Sequence, residues 1–82
     1  MKIRMPAPDK AVFGVVSVVQ EQRFRLLTDD GRGFLLTLAH SANIDDAELC
    51  RLRDAHMHVR VRYGGEANTD SGIAQWIEPM TA

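Results

Sequence analysis

Hydrophobic and polar residues alternate with a period of two along most of this 82-residue chain, as they do in strands that bury one face. The clearest case is the segment MHVRVRY at residues 57–63. Its apolar members are predicted to point inward: Met57, Val59, Val61 and Tyr63. Its basic members are predicted to point outward: His58, Arg60 and Arg62. The segment therefore predicts a strand with a basic outer face.

Three strands are predicted before residue 40. The run AVFGVVSVVQ at 11–20 is β-branched and aromatic, and its interior Gly14 predicts a bend or bulge. A hairpin follows, in which the segment DDGRG at 29–33 supplies the turn. Alternation predicts that the three phenylalanines lie in the core: Phe13, Phe24 and Phe34. On the third strand, the residues on the opposite face are Leu35 and Thr37.

The alternation stops at residues 40–56, where Leu49 and Leu52 lie three positions apart and predict a short helix near residues 46–56. Asp45 followed by Glu48 resembles a capping box, which supports a helix start at this point. The fourth strand, MHVRVRYGG, ends at a double glycine. A fifth strand, GIAQWIEP, ends at Pro79.

The alternation does not determine whether Trp76 of the fifth strand points into the core or toward solvent. In IAQWI the two isoleucines share one parity and Trp76 the other, so either the tryptophan or the isoleucines face solvent unless a bulge intervenes. Partial burial of Trp76 against the first strand is the favoured alternative. Exposure, as a contact for a ligand or partner, is the other.

The element order is three strands, one helix and two strands, with a long glycine-bent first strand at GVVSVV, residues 14–19. This order, over residues 11–79, resembles the OB-fold. The resemblance implies a mainly β fold: a small five-stranded Greek-key barrel with one short α-helix between strands 3 and 4. A bent sheet with one helix, or an SH3-like barrel with an inserted helix, gives much the same pattern. We predict a flexible N-terminal leader at 1–9 and a single OB-like domain at 10–80.

The composition is that of a soluble globular domain, with 45% hydrophobic residues, 26% charged residues and a net charge of −1. One cysteine cannot form an internal disulfide, which favours a reducing compartment and a cytoplasmic location. The sequence predicts no signal peptide and no membrane span. Its near-zero charge predicts no global attraction to nucleic acid, so any such attraction is expected to be local.

The spacing of the residues that could bind a metal or catalyse a reaction does not match a known site of either kind. The candidate metal ligands lack a CxxC or HExxH arrangement: His40, Cys50, His56 and His58. Cys50 is placed within the helix, beside apolar neighbours. The aspartate pairs at 29–30 and 45–46 lie at a turn and at a helix start, where acids are common. We therefore predict no enzyme, no catalytic residue, no metal and no cofactor.

Basic side chains remain the strongest candidates for binding. The second strand is predicted to project Arg23 and Arg25, and the fourth strand His58, Arg60 and Arg62, whereas acids collect in loops. Guanidinium groups bind phosphate or carboxylate in a bidentate manner. The alternative is an ordinary solvated strand face. The question left open is whether the arginines of the two strands form one patch.

Two functions are carried forward, both of a small non-catalytic binding module. The favoured one is binding of single-stranded DNA or RNA through a basic sheet face, with Trp76 as a possible stacking residue. The OB-fold resemblance implies a groove across strands 2 and 3, which here offers Arg23, Arg25, Leu35 and Thr37, with Glu66 and Asp70 in the last loop as unfavourable acids. The alternative is a protein-interaction module, with three apolar anchors: Leu27, Leu35 and Trp76. The oligomeric state stays open.

Overall fold

Five strands and one helix follow one another in the predicted order. A computed structural model describes residues 10–69 and 72–80. The elements are β1 (Lys10–Gln20), β2 (Arg23–Thr28), β3 (Gly33–Leu38), α1 (Asp46–Asp54), β4 (His58–Gly64) and β5 (Ile73–Pro79). The predicted leader at 1–9 lies outside the described residues.

The strands form a closed barrel in the order β1-β2-β3-β5-β4. All neighbours pair antiparallel except β3 and β5, which pair parallel. This confirms the mainly β five-stranded barrel with one helix between β3 and β4. The strand order is consistent with an OB-like topology.

Strand β1 belongs to both halves of the barrel, and Gly14 lies where it passes from one to the other. Gly14 is aligned with Val59 of β4 and with Thr28 of β2. A Cβ atom at this position would lie 2.2 Å from the carbonyl oxygen of Leu27. Glycine therefore permits the close approach of two backbones at the bend. The β-bulge itself falls later, between Val16 and Val18.

The core fills the barrel from the inward positions that alternation predicts. Its fully buried side chains include Phe24, Leu26, Leu36, Val59, Val61 and Ile77. Leu49 and Leu52 of α1 join the same cluster, so the helix packs on the barrel through the face that the sequence indicates. The helix begins as predicted, because the Asp45 carboxylate accepts a hydrogen bond of 2.9 Å from the backbone N–H of Glu48.

Two residues predicted to be buried are exposed. Phe13 is 39% exposed, because its neighbours, partly buried Val12 and buried Gly14, lie on the inner side of β1 and leave its ring on the outer face, where it stacks on His58 at 6.3 Å between centroids. Met57 is 36% exposed because it precedes β4. The Met57 N–H donates to the carbonyl of Leu52 instead, and thereby belongs to the end of the helix.

The helix is shorter than predicted because a turn ends it at Asp54. His56 adopts a left-handed conformation with φ of 51°, and its N–H donates to the carbonyl of Arg53. Together with the bond from Met57 to Leu52, this is the hydrogen-bond pattern of a Schellman motif, with a histidine where glycine is usual.

The β3–β5 seam closes the barrel with little backbone pairing. Only Thr37 with Ile73 and Leu38 with Ala74 are aligned. Two asparagines, Asn68 and Asn43, extend the hydrogen bonding beyond these residues, one at each end of the seam.

At one end of the seam, Asn68 from the β4–β5 loop pairs with Leu35. The side-chain oxygen of Asn68 accepts the Leu35 backbone N–H at 2.7 Å, and the backbone N–H of Asn68 donates to the Leu35 carbonyl at 2.8 Å. At the other end, the Asn43 side-chain amide donates to the Ile77 carbonyl at 2.7 Å and accepts the Ile77 N–H at 2.8 Å. Each asparagine therefore makes the donor and acceptor bonds that a residue of a neighbouring strand would otherwise make.

The Asn43 side chain both donates and accepts a hydrogen bond, whereas the Asn68 side chain only accepts one and the Asn68 backbone donates the other. Matched substitutions at the two positions are therefore expected to have different effects. Asn43→Asp removes the donor to the Ile77 carbonyl and places a charge beside it, so we expect a loss of about 1–3 kcal/mol in the free energy of unfolding. Asn68→Asp keeps both bonds to Leu35 and tolerates the left-handed φ of 67°, so we expect little change. Urea unfolding followed by circular dichroism measures both, and equal losses would contradict this account of the seam.

A second matched pair tests the bend in β1. Gly14→Ala brings a Cβ atom against the backbone of β2, and we expect it to cost about 1–3 kcal/mol or more of unfolding free energy. Gly33→Ala is the control, because its Cβ atom meets only the end of the flexible Arg25 side chain. The same urea titrations apply, and a Gly14→Ala protein as stable as the control would show that β1 and β2 are not in close contact there.

Candidate ligand-binding surface

The six side chains predicted for binding divide into two groups. Strand β2 carries Arg23 and Arg25, while β4 and β5 carry His58, Arg60, Arg62 and Trp76. Strand β1 runs between the groups, with Val18 aligned to Arg25 and Phe13 aligned to Arg60. This separation along β1 corresponds to roughly 15 Å, in addition to the width of the strands. The arginines of β2 and β4 therefore do not form one patch.

Two of the basic side chains on β4 are used within the protein. Nη1 of Arg60 lies 3.1 Å from a carboxylate oxygen of Glu78, its aligned neighbour on β5. The Nε2 atom of His58 lies 3.0 Å from both carboxylate oxygens of Asp29 in the β2–β3 turn. Binding a phosphate at either residue would first require breaking an existing contact.

Arg62 and Trp76 form the remaining part of the β4–β5 group. They are aligned on neighbouring strands, and both are exposed, the tryptophan to 48%. Arg62 has no ion-pair partner within the described part of the chain. A register shift opposite Arg62 and Tyr63 allows both Ala74 and Ile77 to be buried while Trp76 points outward. The favoured burial of Trp76 was therefore wrong, and the bulge is the reason.

A second exposed surface lies on the outer face of β1, β2 and β3. We call it the aliphatic face, and it consists of Val15, Val18, Leu27 and Leu35. Three of these side chains are largely exposed: Val18 to 49%, Leu27 to 48% and Leu35 to 42%. Sequence reasoning identified the two leucines but missed Val18, because the bulge after Val16 changes which residues face outward.

Arg25 lies within the aliphatic face. It is aligned with Val18 on one side and with Leu35 on the other. Its guanidinium group lies across Gly33, where a Cβ atom would be only 2.7 Å from the Nε atom. Gly33 is in turn aligned with Leu27. The absence of a side chain at Gly33 therefore gives the guanidinium group a place beside exposed aliphatic side chains.

A small cleft continues the aliphatic face toward the end of α1. Its volume is about 220 Å³, which is smaller than the cavity of about 270 Å³ at the other end of the barrel. Its lining residues are Val15, Val16, Ser17, Leu27, Arg53 and His56. Half of these are aliphatic, so the cleft can receive an apolar group.

The strands that carry the aliphatic face contain basic residues and no acidic ones. The basic residues are Lys10, Arg23 and Arg25. Lys10 lies 3.7 Å from Glu66 of the β4–β5 loop and donates to the carbonyl of Gly65. The acid at position 66 that counted against anion binding therefore has a cationic neighbour, while Asp70 lies outside the described residues.

The two acids of the β2–β3 turn are also paired. Asp29 contacts His58, and Asp30 accepts from the Thr28 hydroxyl and from Nε of Arg32, the latter at 3.0 Å. The hydrogen bond from Thr28 and the charge of Arg32 hold the pKa of Asp30 below its ordinary value. Asp30 therefore keeps its charge near neutral pH, and both acids of this turn have partners of their own.

The larger cavities surround His40 at the opposite end of the barrel, and three acids border them: Asp45, Asp46 and Glu48. Asp45 caps the helix, Asp46 accepts the backbone N–H of Gln22 at 3.1 Å, and Glu48 lies 3.4 Å from Arg51 on the same helix. Within 10–69 and 72–80 there is no group of three or more metal-binding side chains, and Cys50 is partly buried in α1. The three acids therefore have structural partners, and Asp46 holds the helix to the barrel.

Comparison with known proteins adds no assignment: no protein-family model, no curated protein and no solved structure matches this chain. None of the helices described here has the length and apolar character needed to cross a membrane.

Proposed function

We propose that this chain is a non-catalytic binding module whose ligand is a protein segment held on the aliphatic face. The observation that carries the proposal is the exposure of Val18, Leu27 and Leu35 on adjacent strands. Exposed aliphatic side chains that adjoin one another are typical of surfaces that bind another protein. The cleft beside Leu27 adds a concave element to this surface.

The choice of a protein over nucleic acid on this face rests on side-chain chemistry. Single-stranded nucleic acid is held by aromatic rings that stack on its bases, with basic residues along its backbone. The aliphatic face offers branched aliphatic side chains instead. The exposed aromatic residues of the described chain are Phe13 and Trp76, and neither belongs to it.

Nucleic-acid binding remains the second candidate, at a different place. Trp76 offers an exposed indole beside Arg62, a cation with no ion-pair partner among residues 10–69 and 72–80. One stacked base is worth about 1–3 kcal/mol, so a single such platform supports weak binding only. The hypothesis that four arginines bind one strand of nucleic acid requires a single basic patch, and the arginines of β2 and β4 are separated along β1.

The protein proposal predicts where selected peptides bind. Peptides selected from a random library against the folded protein are titrated into ¹⁵N-labelled protein, and we expect the amide shift changes to concentrate at residues 15–35. Leu27→Ser with Leu35→Ser is expected to weaken binding about tenfold or more, the equivalent of ~1.4 kcal/mol. Met57→Ser is the control, because Met57 is exposed and apolar but lies off the aliphatic face. Shift changes centred elsewhere would overturn the proposal.

The second candidate is tested with a labelled single-stranded oligonucleotide in fluorescence anisotropy at two salt concentrations. Phosphate binding predicts a log–log salt slope of about −0.7 per neutralised phosphate. Trp76→Ala and Arg62→Ala should each weaken binding, whereas Arg51→Ala should not, because Arg51 lies on α1 and pairs with Glu48. No binding at low salt excludes this function.

A further inference from the structure

We infer that the segment bound on the aliphatic face is acidic as well as aliphatic, with a carboxylate that pairs with Arg25. This inference rests on the proposed function and names the chemistry of its partner. Its basis is the position of one guanidinium group among exposed aliphatic side chains, on strands that contain no acid.

Arg25 is available to an external anion. Its side chain is exposed, and it forms no ion pair with any residue of 10–69 or 72–80. A guanidinium group binds a carboxylate through two parallel hydrogen bonds. Arg25 lies across Gly33 and beside Leu35. When a carboxylate of a bound segment pairs with Arg25, the residues next to that carboxylate therefore contact aliphatic side chains.

No acid of residues 10–69 or 72–80 forms an ion pair with Arg25. Asp29 contacts His58, and Asp30 contacts Arg32. At the far side of the cleft, Asp54 lies 3.1 Å from Nε of Arg53, so that pair adds little net charge. Glu21 is exposed in the β1–β2 turn, beyond the end of β2 that carries Arg23. Arg25 therefore adds a positive charge to the aliphatic face that no described residue pairs with, which complements an acidic segment and disfavours a basic one.

The cleft beside Leu27 sets the size of the apolar group. Its volume of about 220 Å³ is below the range of about 300–1,000 Å³ that is typical of small-molecule sites. It suits a single side chain of a longer ligand. A leucine-type side chain in the cleft and a carboxylate at Arg25 must leave the same face of the bound segment, so in an extended segment the apolar and the acidic residue lie two positions apart.

Three matched peptides test this inference, each with a leucine and, two positions away on the same face of the extended peptide, a glutamate, glutamine or lysine. For the natural protein we expect affinity to fall in the order glutamate, glutamine, lysine, with about tenfold between the first two, the equivalent of ~1.4 kcal/mol. Arg25→Glu should reverse the preference in favour of the lysine peptide. Arg25→Gln should make the glutamate and glutamine peptides bind equally.

Two controls separate charge at Arg25 from charge in general. Arg62→Glu changes net charge by the same amount on the other face of the barrel, and we expect it to preserve the order of the three peptides. Gly33→Ala keeps every charge but displaces the Arg25 guanidinium group, and we expect it to reduce the preference for glutamate. Circular dichroism confirms that each variant is folded.

The outcomes distinguish this inference from the function it rests on. If library-selected peptides bind the aliphatic face but the three charge variants bind it equally, the inference fails and the proposed function stands. If neither library-selected nor designed peptides bind this face, both fail. If a single-stranded oligonucleotide displaces the glutamate peptide from Arg25 and binds more tightly, the ligand is nucleic acid and the inference is overturned.

Discussion

The closure of the barrel depends on hydrogen bonds at the β3–β5 seam that strand backbones alone do not provide. Backbone alignment covers two residue pairs, and the amides of Asn43 and Asn68 continue it at the two ends. Two connecting loops thereby become parts of the barrel wall. Hydrogen bonds of the kind found between strands hold these two loops, so this side of the barrel has a structural role. The aliphatic face extends from β3 toward β2 and β1, away from the seam with β5.

Much of the fold could be predicted because most strands alternate without interruption. On β2 and β4 the inward positions are apolar except for Thr28 at the end of β2, so period-two reasoning identified Phe24, Leu26, Val59 and Val61 correctly. It failed where the register shifts, since a bulge adds a residue and reverses parity beyond it. The outward side chain of Val18 could not be read from alternation for this reason.

The candidate surface was less predictable, because charge pairing depends on contacts between distant parts of the sequence. Arg60 pairs with Glu78, and His58 with Asp29, across different elements. A count of basic residues on each strand treats all of them as available. The absence of acids from β1, β2 and β3 is, in contrast, visible in the sequence once the strands are assigned.

The position of Arg25 across Gly33 has a consequence for the thermodynamics of recognition. Restricting a long, rotamer-rich side chain costs about 1.5–2 kcal/mol of conformational entropy when it is immobilised from a freely rotating state. In the unbound protein the Arg25 guanidinium group lies over Gly33, in the space that a side chain there would fill. Binding of the proposed acidic segment to Arg25 in this position would require little reordering of the side chain, which is the advantage of preorganisation.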